Sequence, residues 1–348
     1  MSKRVRWGVI GAGGIADRRT LPGMMKAENA ELIAVMEINM DFAEELREKY
    51  NAKVAYDDVD KLLANPEIDA VYIATPVEFH YDQAIKAARA KKHILIEKPM
   101  ALNTELGKEV MEECEKNGVK LGVGLMMRFG SYHQKMKEMI SRGDLGQIVS
   151  ARAQLTCWYP DMPGNWRQDP ERSGGGALMD MGIHCIDLLE YIIGSDISRL
   201  VAFTDTKTFN YKADDSSAVL FEMENGCTGF VDNNFNIPDA AAQSLLEIYG
   251  TKGSFIARGT IGQVDGGAVL AYLSDDELDY DAAKDRVDVE PVEIDVELGD
   301  MYTRQIESFG EAILNNKPVA VSGEDGLRVQ RLCELAYKSS DSQQVIRV

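Results

Sequence analysis

The 348-residue chain is long enough for two domains with proper cores, and its 45% hydrophobic and 27% charged residues are ordinary for a globular protein. A formal net charge of −19 argues against nucleic acid and anionic membranes as partners. No run approaches the roughly eighteen uninterrupted apolar residues of a membrane span.

The N-terminus, MSKRVRWGVIGAGG, lacks the apolar stretch and cleavage site of a signal peptide, which points to a cytoplasmic protein. RVRWGVI reads as a strand and runs into Gly11, Gly13 and Ala16, spaced G-x-G-x-x-A, with a helix from about Ala16. The first glycine makes the tight turn and the second lets the backbone approach a pyrophosphate, while the small third residue packs helix on strand. Gly14 and Ile15 complete this turn and are assigned to the cofactor with it. The next strand, AELIAVME, ends in Glu37, where an acid takes the adenosine ribose hydroxyls. Ile38 offers no charge to a 2′-phosphate, so NAD is favoured over NADP. The plain alternative for Glu37 is a solvated strand end.

A helix (DFAEELREKYN), a strand and helix (VAYDDVDKLLAN), a strand (IDAVYIAT), a helix (EFHYDQAIKAARAK) and a strand (HILIEKP) follow. Alternation on this length scale means a parallel sheet with helices on both faces, a Rossmann dinucleotide-binding domain over residues 1–122. Ligands of such sheets sit beyond the carboxyl ends of the strands. Thr75, Pro76, His80, Glu97, Lys98 and Pro99 are therefore expected around the nicotinamide, with Arg128 also assigned to the cofactor. A lysine there can hydrogen-bond a hydroxyl and stabilise a developing alkoxide, although a surface lysine is the bland reading.

Past VKLGVGLMMRF the texture changes. A helix (SYHQKMKEMISRG) leads to GQIVSARAQLTC, a loop, a glycine-led helix, and β-rich runs turning at ENG and TKG. This reads as a mostly antiparallel sheet, with two closing helices, in a substrate-binding and oligomerisation α/β domain over 123–348. Between Asp275 and Asp300 twelve acids face Lys284 and Arg286. Inside that stretch VDVEPVEIDVE alternates like a half-exposed edge strand, and a bulge at Pro291 would accommodate its change of apolar parity.

The loop CWYPDMPGNWR gathers Trp158, Tyr159, Trp166 and Arg167, aromatic faces beside polar groups that suit a sugar ring. Core packing explains each aromatic equally well. His133, Asn234, Tyr302 and Arg128 are further substrate candidates. No basic cluster marks a phosphate site, so a neutral sugar or cyclitol is expected. In GGGALMDMGIHCIDLLEYI three glycines precede an amphipathic helix carrying Asp180 and His184 four residues apart. The glycines permit positive φ and close approach. A carboxylate touching an imidazole fixes its tautomer and raises its basicity, as an acid/base needs. A decorative helix-surface pair is the competing reading. The five cysteines are scattered, with no metal-ligand spacing, and read as reduced thiols; no metal is expected.

GAGGIA, ATP, EKPMAL and WRQDPERSGGGALMDMGIHCIDLLEYIIG, in that order and spacing, resemble the glucose–fructose oxidoreductase / inositol dehydrogenase / MocA family, and GEDGLRVQRLCELAYKSS resembles its closing helix. The resemblance covers nearly the whole chain. It implies an N-terminal dinucleotide domain followed by a C-terminal α/β domain with a large, open, mainly antiparallel sheet, often an oligomer surface, and hence a homodimer or homotetramer. It also implies that His184 exchanges a proton with the reacting hydroxyl, that Asp180 orients His184, and that Lys98 polarises the same oxygen. The glycines would let the helix start beside the nicotinamide. Glu37 stands where the family often has aspartate, and Ile38 where it often has arginine. The expected activity is an NAD-dependent dehydrogenase acting on a secondary alcohol of a sugar, glycoside or cyclitol. The alternatives are a redox-neutral, NAD-recycling glycosidase or epimerase, and a non-catalytic NAD-sensing regulator.

Overall fold

The computed structural model describes residues 3–274 and 289–348. The first half forms a six-stranded parallel sheet from β1 (Val5–Ile10), β2 (Ala30–Met36), β3 (Val54–Tyr56), β4 (Ala70–Ile73), β5 (His93–Ile96) and β6 (Leu121–Val123). The order is β3-β2-β1-β4-β5-β6. AVYI and HILI carry apolar side chains on both faces because helices cover the sheet on both sides. Strand order reverses between β1 and β4, and a cleft opens above that switch point.

The helices of this half are α1 (Leu21–Met24), α2 (Met40–Lys49), α3 (Val59–Leu63), α4 (His80–Arg89) and α5 (Thr104–Asn117). A π-helical turn over Ala16–Thr20 leads into α1. The element reading above passes over α5, whose signals are nonetheless clear. Asn103 accepts the Leu106 N–H at 3.0 Å as N-cap, and Gly118, at φ 65°, ends the helix.

The second half begins with α6 (Ser131–Ser141) and β7 (Ile148–Thr156), passes through a short α7 (Pro170–Ser173), and reaches α8 (Ile183–Ile193) through a π-helical turn at Leu178–Gly182. Then come β8 (Ile197–Asp205), β9 (Ser216–Met223), β10 (Thr228–Asn234), β11 (Leu245–Gly250), β12 (Gly253–Arg258), β13 (Ala268–Leu273), β14 (Val292–Glu293), α9 (Met301–Leu314), α10 (Gly323–Ser342) and β15 (Ile346–Arg347). The sheet runs β14-β13-β12-β11-β7-β10-β9-β8-β15, antiparallel throughout except where β7 lies parallel to β10. β9 turns into β10 at Glu224–Gly226, and β11 into β12 at Thr251–Lys252, the two hairpin turns expected. α8 and α10 cover one face. The other face presents Phe203, Leu220 and Tyr249 outward, Phe203 being 73% exposed.

Two expectations change. The strand sought in the acidic stretch is reduced, among the described residues, to the two-residue β14 on the edge of the sheet. Val292 is exposed there while Ile294 is buried, so the two do not form one inward face; Val287 and Asp288 lie outside the described residues. Second, α9 returns to the first sheet. Ile306 and Phe309 pack into the core that holds Trp7, Leu21 and Leu95, the Trp7 and Phe309 rings 5.8 Å apart. Among the described residues no helix is long and apolar enough to cross a membrane, and no cluster of His, Cys, Asp or Glu could hold a metal ion.

Candidate active site

One cleft of about 950 Å³ runs from the β1–helix turn to the loop after β7. At the turn, Gly11 has φ +74°, and a Cβ there would come within 2.8 Å of the Thr75 amide nitrogen. A Cβ on Gly13 would meet the Phe42 ring at 2.9 Å and Glu37 Oε1 at 3.0 Å. Only glycine permits this approach. Glu37 accepts the Gly13 N–H at 2.6 Å with one carboxylate oxygen and lines the cleft together with Gly14, Ile15 and Ile38. A backbone floor with an acid at its edge fits the pyrophosphate and ribose of NAD. Ala16 is fully buried and packs the helix onto the sheet, as its place in the motif requires.

Farther along the cleft stand Thr75, Pro76, His80, Glu97 and Lys98, from the ends of β4 and β5. His80 ties those ends together, its ring nitrogens each 2.9 Å from the carbonyls of Thr75 and Pro99. Glu97 is buried, and burial raises its pKa although Tyr72 and Lys98 oppose the rise. The Tyr72 hydroxyl donates to it and itself accepts from Thr20 Oγ1 at 2.9 Å.

Lys98 Nζ crosses to the second half, donating to the Asp180 carbonyl at 2.6 Å and to Asp180 Oδ1 at 2.8 Å. Asp180 lies in the π-helical turn, where i+5 bonding replaces the ordinary ladder. Arg167 Nε approaches the same carboxylate at 3.7 Å. Burial alone would raise this carboxyl's pKa; Lys98 and Arg167 override it and hold Asp180 well below the usual carboxylate range. His184 also lines the cleft. Burial first, and then the Lys98 ammonium, push its imidazole down to about 3 against the pull of Asp180. The ring is therefore neutral at pH 7.

The expected Asp180–His184 hydrogen bond is not formed. His184 Nδ1 is buried without a partner, because a full cation, Lys98, has taken the carboxylate in a stronger charge-assisted bond. Of the three glycines, Gly175 lines the cleft where this turn begins, while Gly176 approaches another part of the chain. A Cβ on Gly176 would overlap the backbone of Asp214. The Asp214 carboxylate accepts from Gly176 N at 2.7 Å and Leu178 N at 2.9 Å, so the close approach serves the protein's own cap. Nothing in the motif pointed to Asp214, which lies 38 residues from Gly176.

Trp158, Tyr159, Trp166, Arg167 and Tyr302 line the cleft. Arg128 does not. It bonds Asp187 at 2.6 Å and Asp325 at 3.0 Å, and the burial of Asp187, whose pKa burial pushes up to about 6, requires that cation. His133 is buried with Nδ1 on the Met127 carbonyl, and Asn234 ends β10 outside the cleft. The sequence reading missed Arg18, Gln83, Thr156, Met179, Arg172 and Gln263, which also line the cleft. Arg172 donates to Glu78 Oε1 at 2.5 and 2.8 Å, joining the two halves. No motif announces these residues.

Residues 5–125 match the family described as "Oxidoreductase family, NAD-binding Rossmann fold", and residues 133–256 match the GFO/IDH/MocA C-terminal domain. The chain is 26% identical over 323 residues to a 1,5-anhydro-D-fructose reductase of Ensifer adhaerens, covering 92% of each chain. It is 28% identical to a myo-inositol 2-dehydrogenase of Thermotoga maritima, covering 99% of this chain and 98% of the relative. A levoglucosan dehydrogenase crystallised with NADH and levoglucosan shares the fold at a TM-score of 0.88 and 23% identity, covering 99% of this chain and 100% of the other.

Proposed function

The chain belongs to the GFO/IDH/MocA family of NAD-binding oxidoreductases, and from that premise we propose that it oxidises a secondary alcohol of a sugar, glycoside or cyclitol with NAD as hydride acceptor. The observation that carries this reading is that Lys98, Asp180 and His184 line one cleft together with the glycine turn, on which the Glu37 carboxylate rests. Bound NAD supplies the hydride chemistry. Gly11, Gly13 and Gly14 hold its pyrophosphate, and Glu37 its ribose hydroxyls.

Within the protein, Lys98 Nζ donates to the substrate oxygen and stabilises the alkoxide that develops there. Neutral His184 accepts the hydroxyl proton. Asp180 positions Lys98 through its carboxylate and carbonyl, in place of the imidazole-orienting role expected of it. Trp166 carries the Arg167 guanidinium 4.3 Å over its ring, at a place where that cation can meet substrate hydroxyls. Glu37 and the uncharged Ile38 beside it favour NAD over NADP.

Net dehydrogenation is preferred over the redox-neutral reading. A second base beside the reacting carbon would be needed there; of the two candidates, His133 is held away from the cleft, and Tyr159, which lines it, has its phenol pKa raised by burial and so stays a protonated, poor base. A regulator would not need these three polar groups brought to one cleft. All five cysteines are unpaired, in keeping with a reducing, cytoplasmic setting. Phe203, Leu220 and Tyr249 make the outer face of the second sheet the proposed self-association surface.

The test incubates the protein with excess NAD and a panel of free sugars, glycosides and cyclitols, and compares NADH formed with substrate consumed. A one-to-one ratio is expected. Many turnovers on catalytic NAD without NADH would replace this reading with the redox-neutral one.

A further inference from the structure

The segment after β7 climbs out of the cleft. Thr156 is buried, Cys157 half-buried and Trp158 45% exposed, yet all three line the cleft wall. A ligand with its reacting hydroxyl at Lys98 and His184, and its remainder directed outward, would meet Trp158 at the rim.

That tryptophan is not loose. Its amide donates to Asp239 Oδ1 at 2.9 Å, and its backbone bridges Asn236. Phe209 abuts its ring edge-on with centroids 5.2 Å apart, and Tyr211 stacks behind Phe209 at 5.4 Å. The loop carrying these two rings is pinned by one carboxylate. Asp215 accepts the backbone N–H groups of Lys207, Thr208 and Phe209 at 2.9, 2.8 and 3.0 Å. Tyr211 then donates to the Tyr159 carbonyl at 3.1 Å, closing the loop against the segment that bears Trp158. A large apolar side chain held in place while 45% exposed leaves apolar surface open to a further contact. Its freedom is already spent, so a ring stacking on it gains contact at little ordering cost.

We propose that Trp158 is the platform of an outer subsite that stacks the aglycone ring of a glycoside, so that the substrates of choice are glycosides and not free monosaccharides. This rests on the sugar-dehydrogenase reading above and narrows it. The aglycone is a second sugar or an aromatic group, both of which offer an apolar face to an indole.

Steady-state NADH formation is measured with free glucose, galactose and xylose, with their methyl glycosides, and with phenyl glucosides and cellobiose. Stacking worth about 1.4 kcal/mol gives roughly a tenfold higher kcat/KM for ring-bearing glycosides than for the methyl glycosides. Trp158→Ala should collapse that ratio towards one, and Trp158→Tyr should retain most of it, with NADH affinity reporting the integrity of each variant. Phenyl glucoside and cellobiose separate an aromatic from a saccharide aglycone. Turnover of methyl and ring-bearing glycosides at equal kcat/KM, or a ratio untouched by Trp158→Ala, would overturn this inference and leave the dehydrogenase reading standing. If no compound reduces NAD, both fail together.

Discussion

Lys98 Nζ, from the first half of the chain, holds Asp180 of the second half by two oxygens at once, the carbonyl at 2.6 Å and the carboxylate at 2.8 Å. The reacting end of the cleft is thus assembled across the two halves, and His184 is left facing it without the carboxylate partner expected of it. In the proposed mechanism Asp180 therefore acts through the lysine.

Removing either proton-handling group should slow chemistry. Lys98→Ala and His184→Ala are each expected to lower kcat by ~10²–10⁴-fold while the NAD dissociation constant changes little, because the adenosine end of the cleft is untouched. Asp180→Asn should lower kcat less than Lys98→Ala. Turnover numbers beside cofactor titrations check this, and near-native turnover in both alanine variants would remove the proposed mechanism.

The pH dependence of stability carries a sign fixed by His184. Its folded value, about 3, lies below the ordinary 6.5, so the unfolded chain binds the proton first as pH falls. Stability from this group is fully present above pH 6.5 and is lost at about 1.4 kcal/mol per pH unit on the way down towards pH 3. His184→Gln carries no such loss. Between pH 7.5 and pH 5 the variant should gain on the wild type by up to about 2 kcal/mol in denaturant unfolding. A pH-independent gap would show that the imidazole is not held neutral.

Cofactor choice should follow Glu37. Its carboxylate, anchored on the Gly13 amide at 2.6 Å, would repel a 2′-phosphate, so NAD should bind more tightly than NADP. Replacing Glu37 by Ser and Ile38 by Arg should shift the ratio of dissociation constants towards NADP by roughly tenfold or more. Equal affinities in the wild type would refute the assignment.

Arg128 should matter for folding and not for the cofactor. Arg128→Ala leaves Asp187, 1% exposed and already raised to about 6 by burial, without its cation, so that its carboxyl must take up a proton or stay charged at a cost of up to about 3–5 kcal/mol. Urea unfolding should register the loss, and any folded variant should bind NAD as the wild type does. A cofactor defect without a stability defect would restore the role read from the sequence.

Glu97 gives a smaller structural test. Tyr72→Phe removes the hydroxyl that donates to its buried carboxylate, which should cost about 1–3 kcal/mol. Thr20 loses its acceptor in the same change. Unchanged stability would mean that Glu97 draws its support elsewhere.

Much of this was legible in the chain because the signals are local. Crossover alternation dictates the first sheet, and G-x-G-x-x-A dictates which turn the cofactor meets. ENG and TKG place two hairpins. What was not legible depends on partners distant in sequence. Arg128 looks like a cleft residue until Asp187 and Asp325, 59 and 197 positions away, claim it. Asp180 and His184 look like a pair until Lys98 arrives from 82 positions away. Spacing along a helix shows which side chains could touch, but not which of them a stronger competitor will take.

The return of α9 to the first sheet bears on how the protein is made. Trp7 precedes Phe309 by about 300 positions, so it leaves the ribosome long before the ring that packs against it is made. The nucleotide-binding half therefore cannot finish its core while the rest is still being synthesised. Until α9 emerges, that half must wait with an apolar face uncovered, in need of shelter from its neighbours. A gene cut after residue 122 would make that interim state permanent. The resulting fragment should need chaperones or detergent to stay in solution, even though it carries every strand of its sheet but the last.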